Sequence, residues 1–231
     1  MNELIVEPHD KFKGVFLAVG DDGVKRLATR NISPGFQVYG EKLINYEGKE
    51  YRLWEPYRSK LAASILKRIE EMPIEEGGKI LYLGSASGTT ASHVADIVGK
   101  DGIVFCVEFS PRVMRELVRV CEIKKNMIPI LADARFPEKY RMLVEQVDTV
   151  YSDVAQPEQA KLLADNSEVF LKSGGYTILA IKAQSIDVTK EPGEVFKAET
   201  QVLTKRGFKI LQVVNLEPFD KAHAMVLAKF K

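Results

Sequence analysis

The sequence predicts an α/β protein in which a mostly parallel seven-stranded sheet, with an antiparallel last strand, follows a small antiparallel β domain. Short β-rich runs separated by turn signals fill roughly the first 54 residues. Strand-like apolar runs then alternate with helical patterns, which is typical of βα units and a parallel sheet. The last two strand candidates are joined by a short loop, "EPFDKA". Such a loop fits an antiparallel pair, because parallel strands need a longer crossover.

The first part of the chain contains no long helical pattern. Its turn signals are "GDDG", "SPG" and a hairpin turn at Glu47 and Gly48. We therefore predict a small antiparallel β domain over residues 1–55, with the boundary near Pro56. Its strand candidates are "KGVFLAVG", "GVKRLATR", "GFQVYGEKLINY" and "KEYRLWEP".

The second part, residues 56–231, begins with a helical pattern. In "YRSKLAASILKRIEEM" apolar residues recur at helical spacing from Leu61 to Met72. Ser110 and Pro111 supply an N-cap and a first-turn proline for a later helix. Helices fit between the first six strand candidates, which implies a doubly wound sheet covered on both faces. These candidates are "KILYLG", "IVFCVE", "MIPILAD", "VDTVYSD", "GYTILAIK", "FKILQVVNL" and, as the seventh, "HAMVLAKF".

Composition narrows the class of protein. The chain is 45% hydrophobic and 28% charged, as in well-packed globular proteins. No apolar run approaches the ~20 residues that a membrane helix needs. The start, "MNELIVEPHD", lacks a basic region followed by an apolar one, so we expect no signal peptide. Cys106 and Cys121 lie in a predicted buried strand and an adjacent helix, which favours a reduced, intracellular setting over a disulfide framework.

Charge and ligand-type residues limit the possible partners. No His/Cys cluster has metal-ligand spacing, so we expect no metal site. The formal net charge is +1, whereas proteins that bind nucleic acid alone usually carry a clear basic excess. RNA as a substrate therefore requires either a local basic patch or a partner that supplies much of the affinity.

A loop of small residues, "GSASG", joins the first strand of the second part to a helix. Gly84 and Gly88 allow a tight turn and a close approach of the backbone to a ligand. Thr89 and Thr90 can cap the helix and offer hydroxyl groups. Ala86 stands where a dinucleotide-binding fingerprint has its central glycine. The loop alone does not distinguish a ligand site from an ordinary strand-to-helix turn.

Two acidic residues at later strand ends favour an adenosine site. Glu108 lies about 20 residues beyond the loop, where a carboxylate can accept both hydroxyls of a ribose. Phe109 could flank an adenine, and Asp133 could accept from its amino group; helix capping is the alternative for Asp133. NAD and S-adenosylmethionine both contain adenosine. The antiparallel final strand pair favours S-adenosylmethionine, because such a pair resembles the sheet of class I methyltransferases.

Four polar residues lie at the same predicted edge of the sheet. Asp153, Lys182 and His223 stand at strand ends, and Lys60 lies near the start of the first helix. A Lys-Asp-Lys triad with a fourth polar residue is used for ribose 2′-O methylation, because the hydroxyl must lose its proton as the methyl group transfers. A lysine beside a second ammonium group gives up its proton more readily and can serve as the base. Taken singly, Lys60 is more often a solvated helix residue and His223 a hydrogen-bonded strand residue.

With these motifs the sequence resembles fibrillarin, the ribose 2′-O-methyltransferase of box C/D guide ribonucleoproteins. The resemblance covers essentially the whole chain, and no Gly/Arg-rich stretch precedes it, so we expect the archaeal type. The matching stretches are "VYGEKLINYEGKEYRLWEPYRSKLAA", "YLGSASGTTASHVAD", "VEFSPRVMREL", "LADARFPEKY", "VYSDVAQPEQ" and "AIKAQSID".

The resemblance implies a site, a cofactor and partners. The catalytic set is Lys60, Asp153, Lys182 and His223. The partners are a Nop-domain scaffold protein, a kink-turn-binding protein of ribosomal type and a box C/D guide RNA, with rRNA or tRNA as substrate and no membrane; we expect a cytoplasmic location. The S-adenosylmethionine site comprises Thr89, Thr90, Glu108, Phe109, Asp133, Ala134, Asp153, Val154, Ala155 and Gln156, beside the loop residues Gly84, Ala86 and Gly88.

Other functions stay open at this point. The chain could be a stand-alone methyltransferase of protein, for example of glutamine, or of small molecules. It could also be an assembly subunit that binds S-adenosylmethionine, although a pure scaffold would not need the four catalytic residues. A nicotinamide dehydrogenase fits least well, given Ala86. Tyr51 and Trp54 could anchor a partner if exposed, or pack the small domain against the large one.

Overall fold

The computed structural model describes residues 5–231 and contains two β-sheets. Every strand pair of the first sheet is antiparallel, and the strand order is 1-2-3-5-4. The small antiparallel β region is therefore confirmed, although residues 1–4 of the predicted domain lie outside the described residues. The strands are β1 (Ile5–Pro8), β2 (Val15–Val19), β3 (Lys25–Arg30), β4 (Leu43–Tyr46) and β5 (Lys49–Leu53).

The first sheet differs from the sequence prediction in two places. β1 was not among the strand candidates, and residues 35–42 form a loop instead of the first half of a long strand. The reason for the loop is the buried carboxylate of Glu41, which accepts hydrogen bonds from the backbone N–H groups of Val38 and Tyr39. The predicted hairpin turn is confirmed, with φ of 49° at Glu47 and 71° at Gly48, the positive values that a tight two-residue turn requires.

The second sheet has the predicted seven strands. Numbered along the chain, its strands lie in the order 11-12-10-9-6-7-8. Strands 10, 9, 6, 7 and 8 are adjacent and pair in parallel. Strand 12 is antiparallel to both of its neighbours, strands 11 and 10. The class I methyltransferase-like fold is therefore confirmed. The strands are β6 (Lys79–Leu83), β7 (Ile103–Glu108), β8 (Met127–Leu131), β9 (Val147–Ser152), β10 (Leu171–Lys182), β11 (Phe208–Asn215) and β12 (His223–Phe230).

The helices cover both faces of this sheet. The first begins at the Ser59 cap but ends seven residues later, short of Met72, because Arg68 takes a positive φ of 64°. Ser110 caps the third helix through Val113 N–H, as predicted. A 3₁₀ helix (Pro137–Leu143), not an α-helix, joins β8 to β9. The α-helices are α1 (Lys60–Leu66), α2 (Thr89–Val98), α3 (Pro111–Ile123), α4 (Gln159–Phe170), α5 (Ala183–Ile186) and α6 (Pro192–Lys205).

Apolar side chains of the first sheet join the core of the second. Phe12, Val15, Leu27 and Trp54 pack in one cluster with residues of β6, α1, α2 and α3. Trp54 is 1% exposed and stacks on His93 of α2, with 4.9 Å between the ring centroids. Tyr51 is buried as well, but in a separate cluster within the first sheet. Neither residue is an exposed interface anchor, and the packing alternative is correct for Trp54 and wrong for Tyr51.

A buried inter-sheet cluster of charged residues links the same two regions. Glu41 and Arg52 belong to the part of the chain that forms the first sheet, and Asp96 and Lys124 belong to the part that forms the second. All four side chains have no solvent exposure. Arg52 Nε lies 2.6 Å from Glu41 Oε1, and its Nη1 lies 2.7 Å from Asp96 Oδ2. The division of the chain into residues 1–55 and 56–231 stays a prediction.

His93 lies beside this cluster and is fully buried. Its Nδ1 lies 2.7 Å from Thr29 Oγ1, and its Nε2 lies 2.8 Å from the Tyr39 hydroxyl. Burial holds the pKa of His93 well below its usual range, with smaller contributions from Arg52 and Lys124. The imidazole is therefore neutral in the folded protein at pH 7.

Both cysteines, Cys106 and Cys121, are buried and free, and burial raises the pKa of each thiol. Among residues 5–231, no helix has the length and apolar character required to cross a membrane.

Candidate functional site

The loop after β6 is shaped for close packing against the end of β9. Gly84 has a φ of 76°, and a Cβ atom there would lie 3.0 Å from the carbonyl oxygen of Asp153. Ala86 takes a φ of 49°, a conformation that favours glycine, and its N–H donates to Glu108 Oε2 at 3.1 Å. The loop therefore connects the ends of β6, β7 and β9, where open α/β sheets bind ligands.

The helix after this loop begins differently from the prediction. Gly88, with a φ of 94°, is the N-cap of α2, and no side chain caps the helix, so the predicted capping by Thr89 or Thr90 is wrong. Gly88 faces α3, because a Cβ there would lie 3.2 Å from Leu117 Cδ1. The Thr90 hydroxyl is buried and donates to Ser59 Oγ at 3.0 Å, which links α2 to the cap of α1.

A cavity of about 280 Å³ lies at the carboxyl ends of β6, β7, β8 and β9 and reaches Lys182 at the end of β10. Most of the predicted cofactor-binding residues line it, whereas Gly88, Thr89 and Thr90 lie outside its walls. The lining residues are Gly84, Ala86, Val107, Glu108, Phe109, Ala132, Asp133, Ala134, Asp153, Val154, Ala155, Gln156, Leu162 and Lys182.

The acidic and aromatic residues of the cavity have distinct environments. Glu108 is 7% exposed and accepts from the N–H of Ser110 at 2.9 Å through Oε1, so its orientation is fixed. Phe109 is 66% exposed at the rim. Asp133 pairs with Arg135, with 2.6 Å between Oδ2 and Nη2, and this hydrogen bond holds the pKa of the Asp133 carboxyl below its usual range. All three side chains line the same cavity.

A strand-end cluster of five charged or titratable residues lies beside the cavity: Lys60, Asp153, Lys182, Asp220 and His223. Lys182 Nζ lies 2.9 Å from Asp153 Oδ1 and donates to the Asp153 carbonyl at 2.8 Å. Lys60 Nζ lies 3.2 Å from the same Oδ1. One carboxylate oxygen therefore faces two ammonium groups, and this pairing explains why an apolar strand can end on a lysine.

His223 joins the cluster through the antiparallel pairing of β10 with β12. It is the register partner of Lys182, so the two side chains are neighbours on one face of the sheet. Its Nδ1 lies 2.9 Å from Asp220 Oδ1, and Asp220 Oδ2 lies 3.6 Å from Lys60 Nζ. The four residues predicted to be catalytic are thus brought together, while their roles stay predictions.

Asp153 Oδ1 is buried, and its charge is compensated by the two ammonium groups at 2.9 and 3.2 Å. Neither approaches it with hydrogen-bond geometry, so the contacts are ion pairs without a formal hydrogen bond among the described residues. A buried carboxylate that faces two cations stays charged, and its position beside the cavity fixes both lysines there.

Gln159 was missed in the sequence. It is fully buried at the start of α4, its Oε1 accepts from Lys182 N–H at 2.9 Å, and its Nε2 donates to Lys182 O at 3.4 Å. β9 pairs with β10 only as far as Ser152, so the Gln159 amide takes the place of a strand partner for the last residue of β10. Nothing in the sequence signals this contact.

Asp220 was also missed, although an aspartate three residues before His223 was a readable signal. Val107, Ala132 and Leu162 are further cavity residues that the motifs did not indicate. No group of three or more residues able to hold a metal ion occurs in the described part of the chain.

Comparison with known proteins gives one family. The family model described as Fibrillarin matches residues 6–231. A fibrillarin-like rRNA/tRNA 2′-O-methyltransferase of Methanopyrus kandleri is 56% identical over 230 residues, which cover 100% of this chain and 99% of that protein.

Two solved structures extend the comparison. The crystal structure of Aeropyrum pernix fibrillarin in complex with natively bound S-adenosyl-L-methionine has a TM-score of 0.93 and 55% identity, covering 99% of this chain and 100% of that one. A structure of a fibrillarin/Nop5p complex has a TM-score of 0.82 and 41% identity, covering 95% of this chain and 98% of that one.

Proposed function

The chain belongs to the fibrillarin family, and we propose that it transfers the methyl group of S-adenosylmethionine to a ribose 2′-hydroxyl of rRNA or tRNA selected by a guide RNA. The observation that carries this proposal is the strand-end cluster, where Lys60 and Lys182 face one oxygen of Asp153 beside the cavity. An arrangement of this kind suits a reaction in which a hydroxyl loses its proton.

The cavity fits the cofactor in the chemistry of its walls. The Glu108 carboxylate would accept from the ribose hydroxyls, Asp133 from the adenine amino group, and Phe109 would cover the adenine at the rim. Residues 153–156 would line the side near the strand-end cluster.

When bound, S-adenosylmethionine supplies an electrophilic methyl group on a sulfonium centre. The residues of the chain manage the ribose hydroxyl. Lys182, as the neutral amine, takes the hydroxyl proton and becomes an ammonium group. Lys60 keeps a positive charge beside the developing alkoxide, and Asp153 holds both lysine side chains in place. The alternative for Lys182 is a purely electrostatic role, in which it stays protonated and stabilises the alkoxide.

The proposal includes partners. With a formal net charge of +1, the chain attracts RNA weakly, so a Nop-domain scaffold protein, a kink-turn-binding protein of ribosomal type and a box C/D guide RNA bring the substrate. A cytoplasmic location follows, because rRNA and tRNA are found there. We also propose that residues 1–55 and 56–231 are separate domains.

The test is site-specific methyl transfer by the assembled complex. The chain, scaffold, kink-turn-binding protein and guide RNA are mixed with a complementary RNA and labelled S-adenosylmethionine. We expect one labelled ribose, and no label when that nucleotide carries a 2′-deoxyribose, which is the matched control. The chain alone should transfer far more slowly.

The assay also separates the competing functions. If the chain binds S-adenosylmethionine but the complex transfers no methyl group, the chain acts as an assembly subunit. If the chain transfers the methyl group efficiently and site-specifically without guide or scaffold, or transfers it to protein glutamine, it is a stand-alone methyltransferase.

A further inference from the structure

The loop between β11 and β12 places one more carboxylate in the strand-end cluster. Asp220 Oδ1 lies 2.9 Å from His223 Nδ1, and Oδ2 lies 3.6 Å from Lys60 Nζ. The two oxygens of one side chain therefore contact residues from opposite sides of the cluster, α1 and β12.

The loop that carries Asp220 is held in place by its neighbours. Phe219 packs edge-on against Tyr57, just before α1, with 5.2 Å between the ring centroids. Leu216 is fully buried; its N–H donates to His223 O, and its carbonyl accepts from Phe219 N–H. Because the loop is tied both to the start of α1 and to β12, the position of Asp220 is fixed relative to Lys60 and His223.

The surroundings of His223 determine where its hydrogen lies. Nδ1 has two neighbours, the Asp220 carboxylate at 2.9 Å and the carbonyl of Lys221 at 2.6 Å, and both accept hydrogen bonds. Nδ1 must therefore carry a hydrogen. In the neutral ring, Nε2 then presents a lone pair and accepts a hydrogen bond.

Asp220 also changes the charge balance of the cluster. Lys60 and Lys182 share one oxygen of Asp153, so these three groups alone carry a net charge of +1. Asp220 brings the sum for the four to zero, through its contact with Lys60. Two ammonium groups close to each other repel, and a second carboxylate offsets that repulsion.

We propose that Asp220 is a positioning residue for the methyl transfer. It holds Lys60 in the cluster and fixes the His223 ring with its hydrogen on Nδ1, so that Nε2 accepts a hydrogen from the ribose hydroxyl or from a lysine ammonium. This inference rests on the proposed function. The charged groups beside His223 are Asp220, whose Oδ1 lies 2.9 Å from Nδ1, and its register partner Lys182. Lys60 and Asp153 are linked to it through these two residues.

Three variants in the assembled complex test the proposal. Asp220→Asn keeps the shape but removes the charge, Asp220→Glu keeps the charge, and Glu217→Gln removes an exposed charge of the same loop that has no ion pair in the described structure. We expect the single-turnover rate of Asp220→Asn to fall about 10- to 100-fold, as a displaced reactive group typically costs. Asp220→Glu should recover most of the rate, and Glu217→Gln should match the unaltered protein. Affinity for S-adenosylmethionine should be unchanged in all three.

The tautomer of His223 can be measured, and it would not depend on Asp220 if Asp220 only supported the fold. Nitrogen-15 NMR should show the hydrogen of neutral His223 on Nδ1 in the unaltered protein and in Glu217→Gln, and a larger share of the tautomer with the hydrogen on Nε2 in Asp220→Asn. A hydrogen on Nε2, or an Asp220→Asn variant as fast as Glu217→Gln, would overturn the proposal. If the unaltered complex transfers no methyl group at all, the proposed function itself has failed, and the NMR result still decides the orientation of His223.

Discussion

The buried inter-sheet cluster and the strand-end cluster are built from the same groups, lysine or arginine paired with carboxylates, yet they differ in exposure and in hydrogen bonding. The charged side chains of the first cluster have no exposure. In the second, the side chains of Lys60, Lys182 and Asp153 are 15–18% exposed and lie against a cavity.

The two clusters also differ in how their hydrogen bonds are used. Arg52 donates to Glu41, Asp96 and Ser92 through three different nitrogens, so its fork of donors is largely satisfied. Asp153 Oδ1 has no hydrogen-bond partner in the described structure. A fully buried cluster stabilises one arrangement of the two sheets, whereas a partly exposed cluster beside a cavity is available to bind and react.

The largest effect is expected at the strand-end cluster. Lys182→Arg keeps the positive charge, but arginine does not lose its proton near neutrality. If Lys182 is the base, the single-turnover rate of the assembled complex should fall by about 10²–10⁴-fold. Calorimetry should show normal affinity for S-adenosylmethionine, and the free energy of unfolding should change little. A nearly normal rate would mean that Lys182 acts through its charge alone.

A substitution in the buried inter-sheet cluster should affect stability, whereas the one in the strand-end cluster affects the rate. Arg52→Met leaves Glu41 and Asp96 without their guanidinium partner, and breaking a buried ion pair typically costs about 3–5 kcal/mol of unfolding free energy. Chemical denaturation measures this loss. The matched control is Arg26→Met, which breaks an exposed pair with Asp22 and should change the free energy of unfolding far less, because solvent screens an exposed pair. Equal losses for the two variants would contradict the distinction between the clusters.

A smaller effect is expected at the cofactor side of the cavity. Glu108→Ala should weaken binding of S-adenosylmethionine by about 1.5–3 kcal/mol if both ribose hydroxyls bond to the carboxylate. Titration calorimetry measures this, with Glu116→Ala on the exposed face of α3 as the control. Unchanged affinity in Glu108→Ala would remove Glu108 from the site.

The smallest effect concerns pH and the buried inter-sheet cluster. His93 has a lowered pKa in the folded protein, so below about pH 6.5 the unfolded chain binds a proton that the folded one does not. The free energy of unfolding should therefore decrease as the pH falls below 6.5, by at most about 1.4 kcal/mol per pH unit for this group. His93→Gln should flatten the dependence. An unchanged slope in that variant would assign the acid sensitivity to other residues.

The large sheet could be predicted because its information is local. Each strand from β6 to β12 is an apolar run bounded by turn residues, and the short loop before β12 fixes its antiparallel direction. The strand-end residues followed from the same pattern, because the ends of parallel strands meet at one edge.

The features that the sequence did not predict depend on contacts between distant parts of the chain. Residues 35–42 have the composition of a strand, but Glu41 turns inward to Arg52 and its carboxylate binds the loop backbone. α1 ends early, at Leu66, before the positive φ of Arg68, and Thr90 turns toward Ser59 instead of capping α2. Local patterns contain no information about which buried partner a polar side chain will meet.

The contact between Gln159 and Lys182 has a consequence for motion. The Lys182 amide hydrogen is held by a side chain of α4 and not by a neighbouring strand. Its exchange with solvent deuterium therefore requires the start of α4 to move away, while β10 can stay paired with β12. The exchange rate at this single amide would report how often the backbone beneath the lysine opens, independently of the unfolding of the sheet.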